Sequence, residues 1–130
     1  MTDWTKDELD AIEAADELEI ASIREDGALG AFTTIWVARI GDDLYVRPVY
    51  GQKSGWFRGT QVRHEGRVQS GGIERDVTFV DIGDADSHLA DEIDRAYHTK
   101  YDGRYPAQYV DDCLTPQARA ATLRLVPRDP

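Results

Sequence analysis

The sequence of 130 residues is poor in cysteine and has no long apolar run. Cys113 is its single cysteine, so the chain cannot form an internal disulfide. No stretch approaches the roughly 20 apolar residues that a membrane-spanning helix requires. The first residues are acidic and lack the basic and apolar segments of a secretory signal. These absences predict a cytoplasmic protein that has no membrane partner.

The sequence also lacks the residue spacings of a metal site or a nucleophilic catalytic group. His64, His88 and His98 are scattered, and none stands at ligand spacing to another histidine or to a cysteine. No serine has a diagnostic base beside it. Cys113 follows two aspartates, which would raise the pKa of its thiol. We therefore expect no metal and an inert thiol, and the sequence identifies no catalytic residue.

Basic residues are scarce, and the formal net charge of -10 argues against nucleic acid as a partner, because phosphate backbones need a basic face. The basic residues are nevertheless concentrated between positions 45 and 69, where Glu65 is the one acidic residue. This basic island consists of Arg47, Lys53, Arg58, Arg63 and Arg67. It suits a small anionic ligand, although the same side chains could instead pair with acidic neighbours on the surface.

The first part of the chain predicts a helix followed by strands. Thr5 and Glu8 have the spacing of a capping box, so residues 4–15 should form the first helix. Apolar alternation predicts a strand at 18–24. The β-branched and aromatic run at 32–40 predicts a central strand.

The remaining segments predict hairpins, a long helix and a last strand. Residues 44–47 should pair with 32–40 across a Gly-Asp-Asp turn. The other expected elements are a short helix near 54–60, a hairpin at 66–80, a helix at 84–101 capped by Asp84 or Asp86, an irregular stretch at 102–110, a helical turn starting at Thr115 and a strand at 121–126.

This order of elements predicts a fold of the α+β class with a mainly antiparallel sheet, because hairpins dominate. About six strands with helices outside favour a small barrel, since closure hides the strand edges. An open α+β sheet covered by helices is the alternative. We expect residues 1–130 to form one domain.

The segment that follows 44–47 carries the donors that an anionic group needs. A phosphate is bound by guanidinium, ammonium, hydroxyl and backbone N–H groups held in place. Arg47, Lys53, Ser54 and Gly55 could supply these, and a helix beginning near Ser54 would add its positive end. Trp56 could form a stacking wall for a ring, with a place in the core as the alternative.

A second group of candidates lies near the end of the long predicted helix. Tyr97, Lys100 and Tyr101 stand at helical spacings, with the two tyrosines on one face. They could line a pocket and donate protons or hydrogen bonds to a substrate. Packing of the tyrosines on the barrel is the alternative.

Across nearly its whole length, the sequence resembles an uncharacterised family of bacterial proteins of unknown function. The segments that carry the resemblance include Ile35-Trp36-Val37, Leu44-Tyr45-Val46-Arg47, Trp56-Phe57-Arg58, Gly71-Gly72 and Thr122-Leu123-Arg124-Leu125. That family is similar to the FMN-binding split β-barrel superfamily, which includes pyridoxamine-phosphate oxidases, flavin reductases and deazaflavin-dependent nitroreductases. The resemblance implies a small split β-barrel of about six strands with two or three flanking helices.

The resemblance also implies a flavin- or deazaflavin-binding protein of oxidoreductase type, acting on a small molecule as a homodimer. The residues implied for binding FMN or a deazaflavin are Arg47, Lys53, Ser54 and Arg58 at the phosphate and Trp56 at the ring. On the substrate side, the candidates are those that the helical spacing gave: Tyr97, Lys100 and Tyr101. Two alternatives stay open: a non-catalytic split-barrel module that binds another small anionic ligand, and a structural dimer.

Overall fold

One antiparallel sheet curls around an apolar core in the computed structural model, which describes residues 3–128. Its strands are β1 (Leu18–Ser22), β2 (Thr33–Ile35), β3 (Ala38–Ile40), β4 (Asp43–Val46), β5 (Glu65–Ser70), β6 (Ile73–Asp81) and β7 (Leu123–Pro127). The order across the sheet is β2-β1-β5-β6-β7-β4-β3, and each neighbouring pair is antiparallel.

Helices flank this sheet. They are α1 (Lys6–Ala14), α2 (Gly55–Arg63), α3 (Ser87–Tyr101), α4 (Ala107–Asp112) and α5 (Pro116–Ala120), and a 3₁₀ turn (Gly51–Lys53) precedes α2. The predicted capping box is present: Thr5 N–H donates to Glu8 Oε1 over 2.9 Å, and Glu8 N–H donates to Thr5 Oγ1 over 3.1 Å. Within residues 3–128, no helix has the length and apolar character to cross a bilayer.

β2 and β3 are consecutive in the chain but lie at opposite edges of the sheet. The prediction of one central strand at 32–40 is therefore wrong. Trp36 and Val37 carry the chain from one edge to the other. Because the three residue steps from Ile35 to Ala38 span at most about 11 Å, the two edges must lie close together. The sheet is thus rolled into a barrel that stays open along one seam.

The predicted α+β class, antiparallel sheet and split barrel are confirmed. The part of the chain that the structure describes has seven strands rather than about six. It also has five α-helices rather than two or three. One of the additional helices, α4, lies partly in the stretch predicted to be irregular. Gly103 and Pro106 interrupt any periodic pattern there, but the helix begins directly after Pro106.

The hairpin of β3 and β4 separates two apolar clusters. Leu44 and Val46 belong to the cluster inside the barrel, whereas Tyr45 between them belongs to a second cluster with residues of α3 and α4. This alternation follows from strand geometry, in which successive side chains point to opposite faces. The second cluster holds α3 and α4 against the outer face of the sheet, where the candidate site lies.

Candidate functional site

A groove of about 580 Å³ opens between β2, the loop after β4, the start of α2 and the helix α4. Four aromatic side chains line it: Trp36, Tyr50, Trp56 and Tyr109. Tyr50 is 72% exposed and Tyr109 is 49% exposed, which is unusual for large aromatic residues of this chain. We call this cavity the aromatic groove. Flat aromatic faces around an open space of this size suit a planar ring ligand.

The N-terminus of α2 opens onto the aromatic groove. Ser54 is the N-cap residue, but its side chain makes no capping hydrogen bond, and both Ser54 and Gly55 line the groove. The first N–H groups of a helix have no partner within the helix and carry the positive end of its dipole. A Cβ atom built on Gly55 meets nothing within 4 Å. The site therefore offers backbone donors with open space in front of them.

Arg47 lines the same groove, but its guanidinium is directed into the protein. Nη1 donates to Asp94 Oδ1 over 2.5 Å and to the carbonyl of Cys113 over 3.1 Å. Nε donates to Thr122 Oγ1 over 3.1 Å, and Nη2 donates to the carbonyl of Ala90 over 3.0 Å. Since a guanidinium has five N–H groups, these bonds leave one Nη2 hydrogen. The predicted phosphate contact of Arg47 stays a prediction that depends on this hydrogen.

The other two predicted cations do not line the aromatic groove. Lys53 is exposed in the 3₁₀ turn directly before Ser54. Arg58 is exposed on α2 and lines a different cavity, of about 380 Å³, together with Gln61 and Asp81. The structure thus brings Arg47, Ser54 and Trp56 together and leaves the side chain of Arg58 elsewhere.

The two tyrosines predicted to face a substrate lie behind the groove. Tyr97 and Tyr101 are both 0% exposed, and neither lines the groove. The Trp36 indole, which does line it, stacks on the Tyr101 ring with centroids 4.0 Å apart and planes 8° apart. Tyr101 Oη accepts from Val37 N–H over 3.2 Å and donates to the carbonyl of Asp16 over 2.8 Å. Tyr101 therefore fixes the position of Trp36 at the groove surface.

Burial keeps the hydroxyls and the thiol of this region protonated. Burial raises the pKa of Tyr97 well above its usual value, and its hydroxyl has no hydrogen-bond partner among the described residues. Burial likewise raises the pKa of the Cys113 thiol to about 12. Asp112 adds to this rise, while Arg47 opposes it. Burial thus contributes more to this rise than Asp112 does, and the inert thiol stays a prediction.

The sequence did not identify three of the four groove aromatics as site residues. Trp36 stands in the middle of a β-prone run, which favours a place in the core or on the sheet face. Tyr50 and Tyr109 attracted no assignment, although each lies outside a strand, two to three residues after a proline. Neither segment shows an apolar periodicity that would explain burial of an aromatic residue, and this absence could have marked both tyrosines as candidates.

Comparison with known proteins places the fold and the family. A family model described as "Uncharacterized protein conserved in bacteria (DUF2255)" matches residues 8–125. A search of curated proteins gives no significant match.

Solved structures with low sequence identity share the fold. HutZ, the heme storage protein from Vibrio cholerae, aligns with a TM-score of 0.68 and 12% identity, covering 96% of this chain and 91% of HutZ. The conserved hypothetical protein Rv2991 from Mycobacterium tuberculosis gives a TM-score of 0.63 and 16% identity, covering 98% and 83%. An FAD-binding protein from Mesorhizobium loti gives a TM-score of 0.56 and 14% identity, covering 97% and 91%. These similarities show the split-barrel fold.

Proposed function

The chain belongs to the DUF2255 family of bacterial proteins, and from this premise we propose that it binds a flavin-type cofactor in the aromatic groove. One observation carries the proposal: aromatic side chains and an uncapped helix N-terminus meet in the same open groove. Two of the solved proteins with this fold are described as an FAD-binding protein and as a heme storage protein. Both ligands contain a large planar conjugated ring.

The walls of the groove fit the ring of such a cofactor. Trp36 is held in place by its stacking on Tyr101, so it offers a rigid face. Trp56 is half-buried and packs edge-on against Phe57, with ring centroids 6.5 Å apart and planes 74° apart. A volume of about 580 Å³ lies within the usual range for small-molecule sites. Rigid aromatic walls reduce the entropy that ligand binding would otherwise lose.

The start of α2 fits the phosphate group of the same cofactor. Backbone N–H groups at Gly55 and Trp56, together with the Ser54 hydroxyl, would donate to phosphate oxygens at the positive end of the helix. Lys53 precedes them and would add a flexible positive charge. Arg47, whose side chain is 0% exposed, would support the site from behind, because its hydrogen bond to Asp94 holds the groove wall in place.

The proposed activity is that of an oxidoreductase acting on a small molecule. A bound flavin-type group supplies the electron transfer, which explains why the chain needs no nucleophile and base of its own. The residues of this chain would bind the ring, orient it and exclude water from one of its faces. Tyr50 and Tyr109 at the groove rim would contact the substrate. Tyr97 and Tyr101 would act from behind the wall by fixing its shape.

The test is a titration of the purified protein with FMN, with a deazaflavin and, separately, with heme. We expect micromolar binding of FMN or the deazaflavin, detected by absorbance and by quenching of ligand or tryptophan fluorescence. Trp56→Ala should weaken binding at least tenfold, which corresponds to about 1.4 kcal/mol. Arg58→Ala is the matched control on the same helix and should leave binding within twofold if the cofactor occupies the aromatic groove. Binding of heme alone, or of none of the three, would contradict the proposal.

We include a homodimer in the proposal, because the exposed tyrosines at the groove rim would be covered by a second subunit. Tyr50 and Tyr109 supply the large aromatic surface that such an interface favours. Sedimentation at several protein concentrations measures the oligomeric state directly. A Tyr50→Ser, Tyr109→Ser double variant should shift the population toward monomer. A wild-type protein that sediments as a monomer at all concentrations would remove the dimer from the proposal.

A further inference from the structure

A further cavity, of about 390 Å³, lies between α1, β3 and the C-terminal end of α3. Lys100 lines it, and none of its lining residues lines the aromatic groove. We call it the lysine cavity. The sequence expectation grouped Lys100 with two tyrosines at one substrate pocket, but the structure places Lys100 at a separate cavity.

The ammonium group of Lys100 is poorly compensated. Nζ donates to the carbonyls of Ile12 and Val37 over 3.4 Å and 3.3 Å, which are long hydrogen bonds. It lies 5.2 Å from the centroid of the Tyr101 ring. Within residues 3–128, no carboxylate oxygen lies within 4.0 Å of Nζ. Burial therefore lowers the pKa of Lys100 to about 8, although Glu13 and Asp16 partly oppose this change.

We propose that Lys100 is a nucleophilic amine that condenses with a small neutral aldehyde or ketone in the lysine cavity. The lone pair of Nζ attacks the carbonyl carbon, and a C–N bond forms. The carbonyl oxygen then leaves as water with two protons taken from the amine, so that a C=N bond replaces the C=O bond. The step involves no oxidation or reduction and needs no other reactant.

The charges around Nζ favour an uncharged carbonyl compound. The protonated imine keeps a positive charge near the place of the ammonium, where Glu13 and Asp16 offset part of the cost of burying it. The charged groups around the cavity are Glu13, Asp16, Arg39, Asp102 and Arg104. Both arginines are already engaged, Arg39 with Asp10 (2.9 Å) and Glu13 (3.2 Å), and Arg104 with Asp16 (2.5 Å). An anionic substrate would be repelled by the carboxylates, and neither guanidinium is unpaired to attract it.

The chain supplies its own controls for this proposal. Its other lysines are Lys6 and Lys53, and both are exposed. Lys6 forms an ion pair with Asp10 at 2.8 Å, and this hydrogen bond raises its pKa. At any given pH, a larger fraction of Lys6 than of Lys100 is therefore protonated. The proposal does not depend on flavin binding, because the two cavities share no lining residue.

The experiment treats the full-length protein with benzaldehyde and sodium cyanoborohydride, which traps an imine as a stable amine. Peptide mass spectrometry then measures the adduct at each lysine. At pH 7.5 we expect at least about tenfold more adduct at Lys100 than at Lys6 or Lys53, since the lowered pKa supplies more free amine. The rate at Lys100 should level off above pH 8, whereas the rate at Lys6 should go on rising.

Two further measurements keep the proposal falsifiable. Lys100→Arg keeps the positive charge and should lose only the Lys100 adduct, leaving the adducts at Lys6 and Lys53 within twofold. Unfolding the wild-type protein in urea should abolish the preference for Lys100. Equal labelling of the three lysines in the folded protein would overturn the proposal. Labelling of Lys100 that appears only in urea would overturn it as well, because the amine would then be inaccessible.

Discussion

Arg47 and Asp94 form a partly buried ion pair in which Nη1 and Oδ1 are 2.5 Å apart. The Arg47 side chain is 0% exposed and that of Asp94 is 23% exposed. The pair joins the end of β4 to the middle of α3. A residue that the sequence predicts as a ligand contact is therefore also a tie between the sheet and the long helix that covers it.

Loss of Asp94 should destabilise the protein strongly. Asp94→Ala leaves a buried guanidinium without its counter-ion, and we expect the free energy of unfolding to fall by about 3–5 kcal/mol. Urea denaturation followed by circular dichroism measures this change. Arg47→Met combined with Asp94→Leu should recover most of the lost stability, because no unpaired charge remains. A loss below about 1 kcal/mol for Asp94→Ala would show that the pair does not hold α3 to the sheet.

A larger side chain at position 55 should separate ligand binding from folding. Gly55→Leu projects from the first turn of α2 into a space that is open within 4 Å, so folding should be unaffected. The same side chain would stand before the N–H groups proposed to bind phosphate, and we expect flavin affinity to fall at least tenfold. Isothermal titration and thermal unfolding measure the two effects. Unchanged affinity in the folded variant would place the phosphate elsewhere.

Gly66 in β5 should tolerate no side chain. A Cβ atom built there lies 2.0 Å from the Ala21 carbonyl oxygen and 2.7 Å from Cζ of Phe79. The neighbouring strand β1 cannot withdraw without breaking its pairing with β5, so Gly66→Ala should cost at least about 3 kcal/mol. Gly55→Ala is the matched control and should be neutral or slightly stabilising, since helices favour alanine over glycine. Chemical denaturation measures the stability of both variants. Equal stability would contradict the close packing at Gly66.

The contribution of Lys100 to stability should become more favourable with pH in the alkaline range. Its pKa is lowered from 10.5 to about 8 on folding, so the unfolded chain binds more protons between these two values. At pH 7 the buried ammonium of Lys100 therefore costs stability, and this cost should fall as the pH rises through the window. Lys100→Met lacks this contribution, so it should be more stable than the wild type at pH 7 by a margin that narrows above pH 8. Lys53→Met provides the control for loss of an exposed charge. A margin that stays constant from pH 7 to 10 would contradict the burial of the ammonium.

Elements that depend on neighbouring residues were predictable from the sequence. The Thr5–Glu8 capping box and the hairpin of β5 and β6 both rest on contacts between residues close in the chain. The separation of β2 from β3 was not predictable in this way. Trp36 and Val37 are as β-prone as the residues around them, and only the pairing of their neighbours with β1 and β4 divides the run.

The candidate site was likewise predictable only where it depends on residues close in the chain. Ser54 and Trp56 were predictable because glycines and a hydroxyl directly after a strand suggest a ligand loop. The internal role of Arg47 was not, because its partner Asp94 lies 47 residues away. Among 25 acidic residues, the sequence gives no means of choosing that partner. The separate cavity of Lys100 likewise depends on α1 and β3, which are far from α3 in sequence.

The place of β7 in the sheet bears on how the protein is made. This strand is synthesised after the other six of the sheet, yet it lies between β6 and β4 and is the link through which the β3–β4 hairpin joins the other strands. A ribosome-bound chain that has emerged only as far as α5 therefore exposes two unpaired strand edges, on β6 and on β4. Such edges can form hydrogen bonds with strands of other chains and so promote aggregation. Until Pro127 leaves the exit tunnel the barrel cannot be completed, so protection of the nascent chain by chaperones matters most during that interval.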